Sequence, residues 1–215
     1  MSKQGRIIAL TTSKGGSGKT TLTCCLAAEL LNRRHTVTLI DADPETNTQR
    51  WLAAGDRFQA ATLIVDGSLG VTEAARLAAE HSTVFIDAAG ATTSTTVAVL
   101  EAADIVLIPF QASSMDAVAA IKMAKLAADV SAARHRQLPI IAVFNRVSNT
   151  AITPHIRSEL EKAGVKVAMT EIGNRTAFAV AALNGTAPCW MGTTAEKAAE
   201  EIEALVKELD LWRQK

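Results

Sequence analysis

Short runs of almost wholly apolar residues recur along this 215-residue chain, separated by longer stretches in which apolar positions return every three or four residues. The runs cover 6–12, 37–42, 61–65, 83–87, 104–109, 139–145 and 165–169, and each is the length of a buried strand. Helical spacing appears over 20–33, where Leu22, Leu26, Leu30 and Leu31 share one side, and over 45–54, 71–80, 94–102, 117–132, 154–163, 176–183 and 194–212. Strand and helix alternate throughout. The expected architecture is therefore α/β, a mostly parallel twisted sheet with helices on both faces. No repeat, linker or low-complexity segment interrupts the pattern, so one domain over residues 1–215 is expected. The chain starts almost directly with its first strand, so no N-terminal helix-turn-helix domain is expected.

The first strand runs into Ser13-Lys14-Gly15-Gly16-Ser17-Gly18-Lys19-Thr20, and a helix follows at once. Glycines let the backbone curl so that successive N–H groups converge on one phosphate, and the helix start adds its positive dipole end. Lys19 supplies a point charge and Thr20 a hydroxyl for Mg²⁺, with Thr21 completing the cradle. The loop departs from the ordinary P-loop pattern. Ser13 stands where that pattern has glycine, and Lys14 is an extra lysine too early in the loop to repeat the work of Lys19.

Two further strands end in acids. The run Val37–Ala42 closes on Asp41 and Asp43 before Pro44, and Thr83–Ile86 closes on Asp87 before Ala88-Ala89-Gly90. Strand ends of a parallel sheet gather at one edge, so these carboxylates should face the phosphates, Asp41 and Asp43 on the same side by alternation. There they would hold Mg²⁺ through water or orient an attacking water. The hydrophobic strand ending in Asp87 has the Walker B form, whose aspartate holds the metal's hydration shell.

With Lys-Gly-Gly-x-Gly-Lys-Thr at 14–20, the chain resembles the ParA/MinD family of deviant Walker-type ATPases, most closely the small ParA or ParF type. The resemblance implies a P-loop NTPase fold with ATP and Mg²⁺ as cofactors. It also implies that Lys14 reaches across an ATP-bound homodimer to the partner's nucleotide, that Asp41 binds a magnesium-ligating water, and that Asp43 positions the hydrolytic water. Asn145, at the end of the sixth predicted strand, would contact adenine, and the segment Asn184–Pro188 would flank the base, with Pro188 as a binding residue. Two departures stand out: Glu45 follows Asp43-Pro44 where the family has glutamine, and Asp87-Ala88-Ala89-Gly90 lacks the family's prolines. Phe144-Asn145-Arg146-Val147-Ser148 has no aspartate in the place a guanine-specific Asn-Lys-x-Asp would supply one, which argues against GTP.

Charge changes the picture little. The 22 basic and 22 acidic side chains balance to zero, so the chain as a whole carries no nucleic-acid footprint. Arg134, His135 and Arg136 do cluster, and Arg157, Lys162, Lys166, Lys207, Arg213 and Lys215 lie in the last third. By resemblance this part would bind DNA without sequence preference in the ATP dimer, an electrostatic contact that needs only several phosphates. Arg175 resembles an arginine the family places before its penultimate helix. The terminal helix is rich in glutamate beside Ile202, Leu205, Val206 and Leu209, so it would be repelled by anionic lipid and pack inward. No run approaches a membrane span or a signal-peptide core, which leads to a cytoplasmic, nucleoid-associated expectation without membrane contact. Cys24, Cys25 and Cys189 read as reduced core thiols.

The function expected is a slow ATPase used as a switch for plasmid or chromosome segregation, stimulated by a ParB-like centromere-binding or adaptor partner. An orphan relative that positions a protein cluster, secretion machinery or transfer DNA would use the same residues. A metabolic ATP-dependent enzyme on the same scaffold is the alternative from a different class.

Overall fold

The computed structural model describes residues 5–65, 67–80, 82–90, 94–148 and 151–210. In chain order the elements are β1 (Ile7–Leu10), α1 (Lys19–Asn32), β2 (Val37–Ala42), α2 (Asn47–Ala53), β3 (Thr62–Ile64), α3 (Gly67–Ala79), β4 (Thr83–Ala88) and α4 (Ser94–Ala102). There follow β5 (Ile105–Phe110), α5 (Ser114–Ala133), β6 (Ile140–Phe144), α6 (Thr153–Lys162), β7 (Lys166–Val167), α7 (Thr176–Leu183), 3-10 turns at Pro188–Trp190 and Gly192–Ala195, and α8 (Glu196–Glu208).

The strands form one seven-stranded sheet in the order β3-β2-β4-β1-β5-β6-β7, with every pairing parallel. Alternation along β1 sends Ile8 and Leu10 to one face and Ile7 and Ala9 to the other, and each face is covered. The first layer is built on α1 with α8 beside it: Leu22, Leu26 and Leu30 are fully buried there, together with Ile202 and Leu205. The second is built on α3 to α6, where the small residues Ala117, Ala120 and Ala127 let α5 lie close against the strands. Cys24 and Cys25 sit inside the first layer, as their reading as core thiols expected.

Element boundaries moved where a local polar contact outweighed hydrophobic spacing. The helix expected at 117 begins at Ser114, because the Ser113 hydroxyl accepts from the Asp116 amide and caps it. The strand expected over 165–169 shrinks to Lys166–Val167: beyond it the Met169 and Thr170 amides donate to the Glu208 carboxylate instead of a neighbouring strand. The helix expected from Thr194 starts at Glu196, after a 3-10 turn, and its expected end at Trp212 lies outside the described residues.

The phosphate loop leaves the end of β1, which is flanked by β4 and β5. The chain winds outward from β1 in one direction through β2 and β3 and in the other through β5, β6 and β7. Such a reversal opens a crevice at the carboxyl ends of the strands, and there the candidate site lies.

Candidate functional site

A cavity of about 820 Å³ occupies this crevice, lined by Gly15, Gly16, Gly18, Lys19, Thr20 and Thr21 from the loop and the first turn of α1. Its opposite wall is Asp43, Pro44 and Glu45 with Asn47, Arg50 and Trp51 from α2; Ala89, Gly90, Arg146 and Ala182 close it. Gly16 and Gly18 have φ values of 75° and 92°, the left-handed region that lets the amides turn inward. Gly18 is needed for a second reason. A Cβ there would sit 2.0 Å from Asn145 Nδ2.

Asn145 is 2% exposed, and its amide donates to the Ser17 carbonyl at 2.7 Å. Gln111, in the turn after β5, donates to the Gly16 carbonyl at 3.2 Å. Both side chains thus pin the back of the loop, so its N–H groups are left for a ligand. Asn145, expected beside the base, is committed to the loop, and it lines a narrower extension of about 180 Å³ with Thr21, Arg146, Phe178 and Ala182. Pro188 lines neither space. It is buried at the start of the first 3-10 turn and faces a separate cavity of about 580 Å³ beside Glu29 and Arg33, because the turn carries the chain to the outer side of α1.

The carboxylates divide by role. Asp41 and Asp87 stand opposite each other in the β2–β4 register, both buried. Asp41 Oδ2 accepts from the Gln49 amide at 2.9 Å and Oδ1 from the Asp43 amide at 3.3 Å, so this side chain organises the turn into α2. Strand alternation does not carry on to Asp43, because β2 stops at Ala42; Asp43 lies in the turn and lines the cavity, its Oδ1 accepting from the Glu45 amide at 3.0 Å. Asp87 Oδ2 accepts from the Thr20 hydroxyl at 2.7 Å and the Thr48 hydroxyl at 2.8 Å. Asp87 Oδ1 is buried without a partner. Burial pushes the Asp87 carboxyl up to about 6; the Thr20 and Thr48 hydrogen bonds and the Lys19 charge pull the other way. Burial likewise raises Asp41, against the pull of the Gln49 and Asp43 amides.

An orphaned buried carboxylate oxygen beside a threonine hydroxyl fits Mg²⁺ held mainly by phosphates and water. Thr20 would supply the protein ligand and Asp87 Oδ1 would accept from a metal-bound water. Among the described residues no group of three or more His, Cys, Asp or Glu converges as an all-protein metal cage.

The two lysines of the loop go opposite ways. Lys19 is 8% exposed and points into the cavity, where a Cβ on Gly90 would lie 3.5 Å from its ammonium. Lys14 does not line the cavity of its own subunit. Its Nζ lies 2.9 Å from Asp116 Oδ1 and 3.0 Å from Oδ2, at the start of α5. Met115 and Val118, 77% and 52% exposed, lie beside that contact in sequence.

The sequence reading passed over Thr48, Trp51 and Arg50, which no motif marked, and assigned no individual role to Gln111 or Arg146. It counted basic residues that the fold partly neutralises: Arg134 pairs with Glu101 at 2.8 Å, Arg157 with Glu171 at 3.0 Å, and Lys207 with Glu203 at 2.6 Å. Arg175 donates to Glu201 at 3.0 Å, and Arg136 donates to the Ala103 carbonyl. Lys162 and Lys166 are exposed; Arg213 and Lys215 lie outside the described residues. Among the described residues no helix is long and apolar enough to cross a membrane.

Comparison with known proteins agrees with this geometry. A ParA protein of Rhizobium radiobacter is 30% identical over 173 residues, 78% of this chain and 73% of its own length. A maintenance of carboxysome distribution protein A from Gloeobacter kilaueensis is 29% identical over 213 residues, 97% of this chain and 96% of its own. The fold is shared with an McdA from Cyanothece solved with ATP, at a TM-score of 0.80, 17% identity and 98% coverage of both chains. The CobQ/CobB/MinD/ParA nucleotide-binding domain matches residues 8–188, and a phosphate loop with one lysine turned in and one turned out lies inside that span: the chain belongs to the ParA/MinD family of Walker-type ATPases.

Proposed function

We propose that this protein is a Mg²⁺-dependent ATPase that works as a dimerising switch, partitioning or positioning a cargo. The observation that carries the proposal is the outward Lys14. A lysine absent from its own nucleotide cavity, and paired instead with Asp116, can exchange that carboxylate for the phosphates of a second subunit. Within one subunit, Lys19 and the loop amides would bind the phosphates, Thr20 and Asp87 the metal, and Asp43 would orient the attacking water. The metal, when bound, neutralises charge developing on the phosphates. Asn145, Arg146, Phe178 and Ala182 border the narrow extension suited to the base, and the Asn145 amide also holds the loop from behind.

The cargo reading follows the relatives. One is named a ParA protein and another is named for carboxysome distribution, so a plasmid and a protein cluster are both within reach of this switch. DNA would be held without sequence preference by the ATP dimer, whose pairing doubles the exposed charge of Lys162 and Lys166. A ParB-like or adaptor protein would trigger hydrolysis.

The test is oligomeric state and DNA retention measured together, with ATP and with ADP, in the wild type, Asp43→Ala and Lys14→Ala. An ATP-only dimer that holds arbitrary duplex DNA, persists in Asp43→Ala and is lost in Lys14→Ala is expected. A monomer indifferent to both nucleotides, turning over ATP with a small acceptor, would establish the metabolic alternative instead.

A further inference from the structure

Two hydroxyls meet on a single oxygen of Asp87. Thr20 belongs to the phosphate loop, and its own oxygen is the ligand offered to a divalent cation. Thr48 belongs to α2, is fully buried, and spends its one hydroxyl proton on Asp87. A valine would fill the same volume without a polar atom to satisfy, so a buried threonine is used here for its hydrogen bond.

We infer that Thr48 is a positioning residue for the metal-side carboxylate. By donating to Asp87 Oδ2 it keeps the carboxylate oriented once the Thr20 oxygen turns to the cation, and it leaves Oδ1 as the acceptor for a metal-bound water. The same bond ties α2 to the carboxylate that would accept from a metal-bound water. That helix is held at its start through the Gln49 amide on Asp41, and further along through Trp51 Nε1, which donates to the Thr186 carbonyl at 3.0 Å. Thr48 thereby links metal loading to the segment that carries Asp43. This inference rests on the Mg²⁺-nucleotide reading of the cavity.

Binding, and not turnover, tests it. ADP affinity is measured in Mg²⁺ and in EDTA for the wild type, Thr48→Val and Thr48→Ser, with hydrogen exchange of the α2 amides in each state. The wild type should gain affinity and α2 protection from Mg²⁺. In Thr48→Val the Mg²⁺ increment should fall about tenfold, the usual effect of losing a partner that orients a metal-site group. Its EDTA affinity should stay unchanged, and Thr48→Ser should restore the increment. A purely structural role would lower ADP affinity equally in Mg²⁺ and EDTA, and that result overturns the inference, as does a full Mg²⁺ increment in Thr48→Val. If Thr48→Val does not fold, Thr48→Ala carries the same expectations. ADP binding by the wild type that ignores Mg²⁺ overturns the metal reading itself, and the inference with it.

Discussion

The two flanks of the phosphate loop are built on different principles. On the β5–β6 side, Gln111 and Asn145 donate to loop carbonyls and Asp116 receives Lys14, so these side chains are matched to protein partners. On the β2–β4 side, Asp87 keeps an oxygen buried and unmatched, and Asp43 opens onto the cavity. A saturated flank is scaffold. An unsaturated one costs stability in the empty protein and is retained where a ligand completes it.

Breaking the scaffold flank at its tightest point should have the largest effect. Gly18→Ala forces a Cβ into Asn145 and demands a left-handed φ of an alanine; nucleotide binding should be lost by calorimetry while the far sheet edge keeps its circular dichroism. On the other flank the sign should reverse. The Asp87 carboxyl titrates at about 6 folded against an ordinary value of 3.8, so the folded chain holds the extra proton between those pH values. Stability from this group is then present at low pH and lost as pH rises through that window, by at most about 3 kcal/mol. Asp87→Asn should remove that slope from denaturant midpoints measured between pH 4 and 7 in nucleotide-free protein. It should leave the empty protein at pH 7 no less stable than the wild type, while the Mg²⁺ increment in ADP binding disappears. A variant with the wild-type slope would show that the buried carboxyl is not the source.

Asn145→Ala leaves the Ser17 carbonyl without its donor, a loss of about 1–3 kcal/mol by thermal denaturation, with weaker nucleotide binding in Mg²⁺ and EDTA alike. That equality separates the scaffold flank from Thr48, whose effect should appear only with metal. The smallest effect on stability is expected for Lys14→Ala. Lys14 is half-exposed, and the buried Asp116 carboxylate keeps the Ser113 hydroxyl as a donor when the lysine is removed, so stability should fall by only about 1 kcal/mol while the ATP-dependent dimer is lost. A large fall in midpoint with dimerisation intact would make Lys14 a structural residue.

The order of strands and helices, the glycine cradle and the three aspartates were legible along the chain, because each depends on local periodicity or on residues a few positions apart. Lys14 also stood out as surplus to the loop, and resemblance turned it away from its own nucleotide; its pairing with Asp116 was not legible, since that residue lies far along the chain at the start of α5. Asn145 and Pro188 were placed near the base by resemblance; the fold sets Asn145 both against the back of the loop and along the narrow extension, and turns Pro188 to the outer side of α1. Arg134 and the basic residues of the last third were countable in the sequence, while their partial neutralisation by Glu101, Glu171 and Glu203 was not. Thr48 carries no motif at all. Hydrophobic spacing and short motifs act within one element, so the sequence alone determined the α/β architecture and the phosphate-binding chemistry. Which polar groups saturate one another and which are left for a ligand is settled by contacts between strand ends far apart in the chain, and only the tertiary structure decided it.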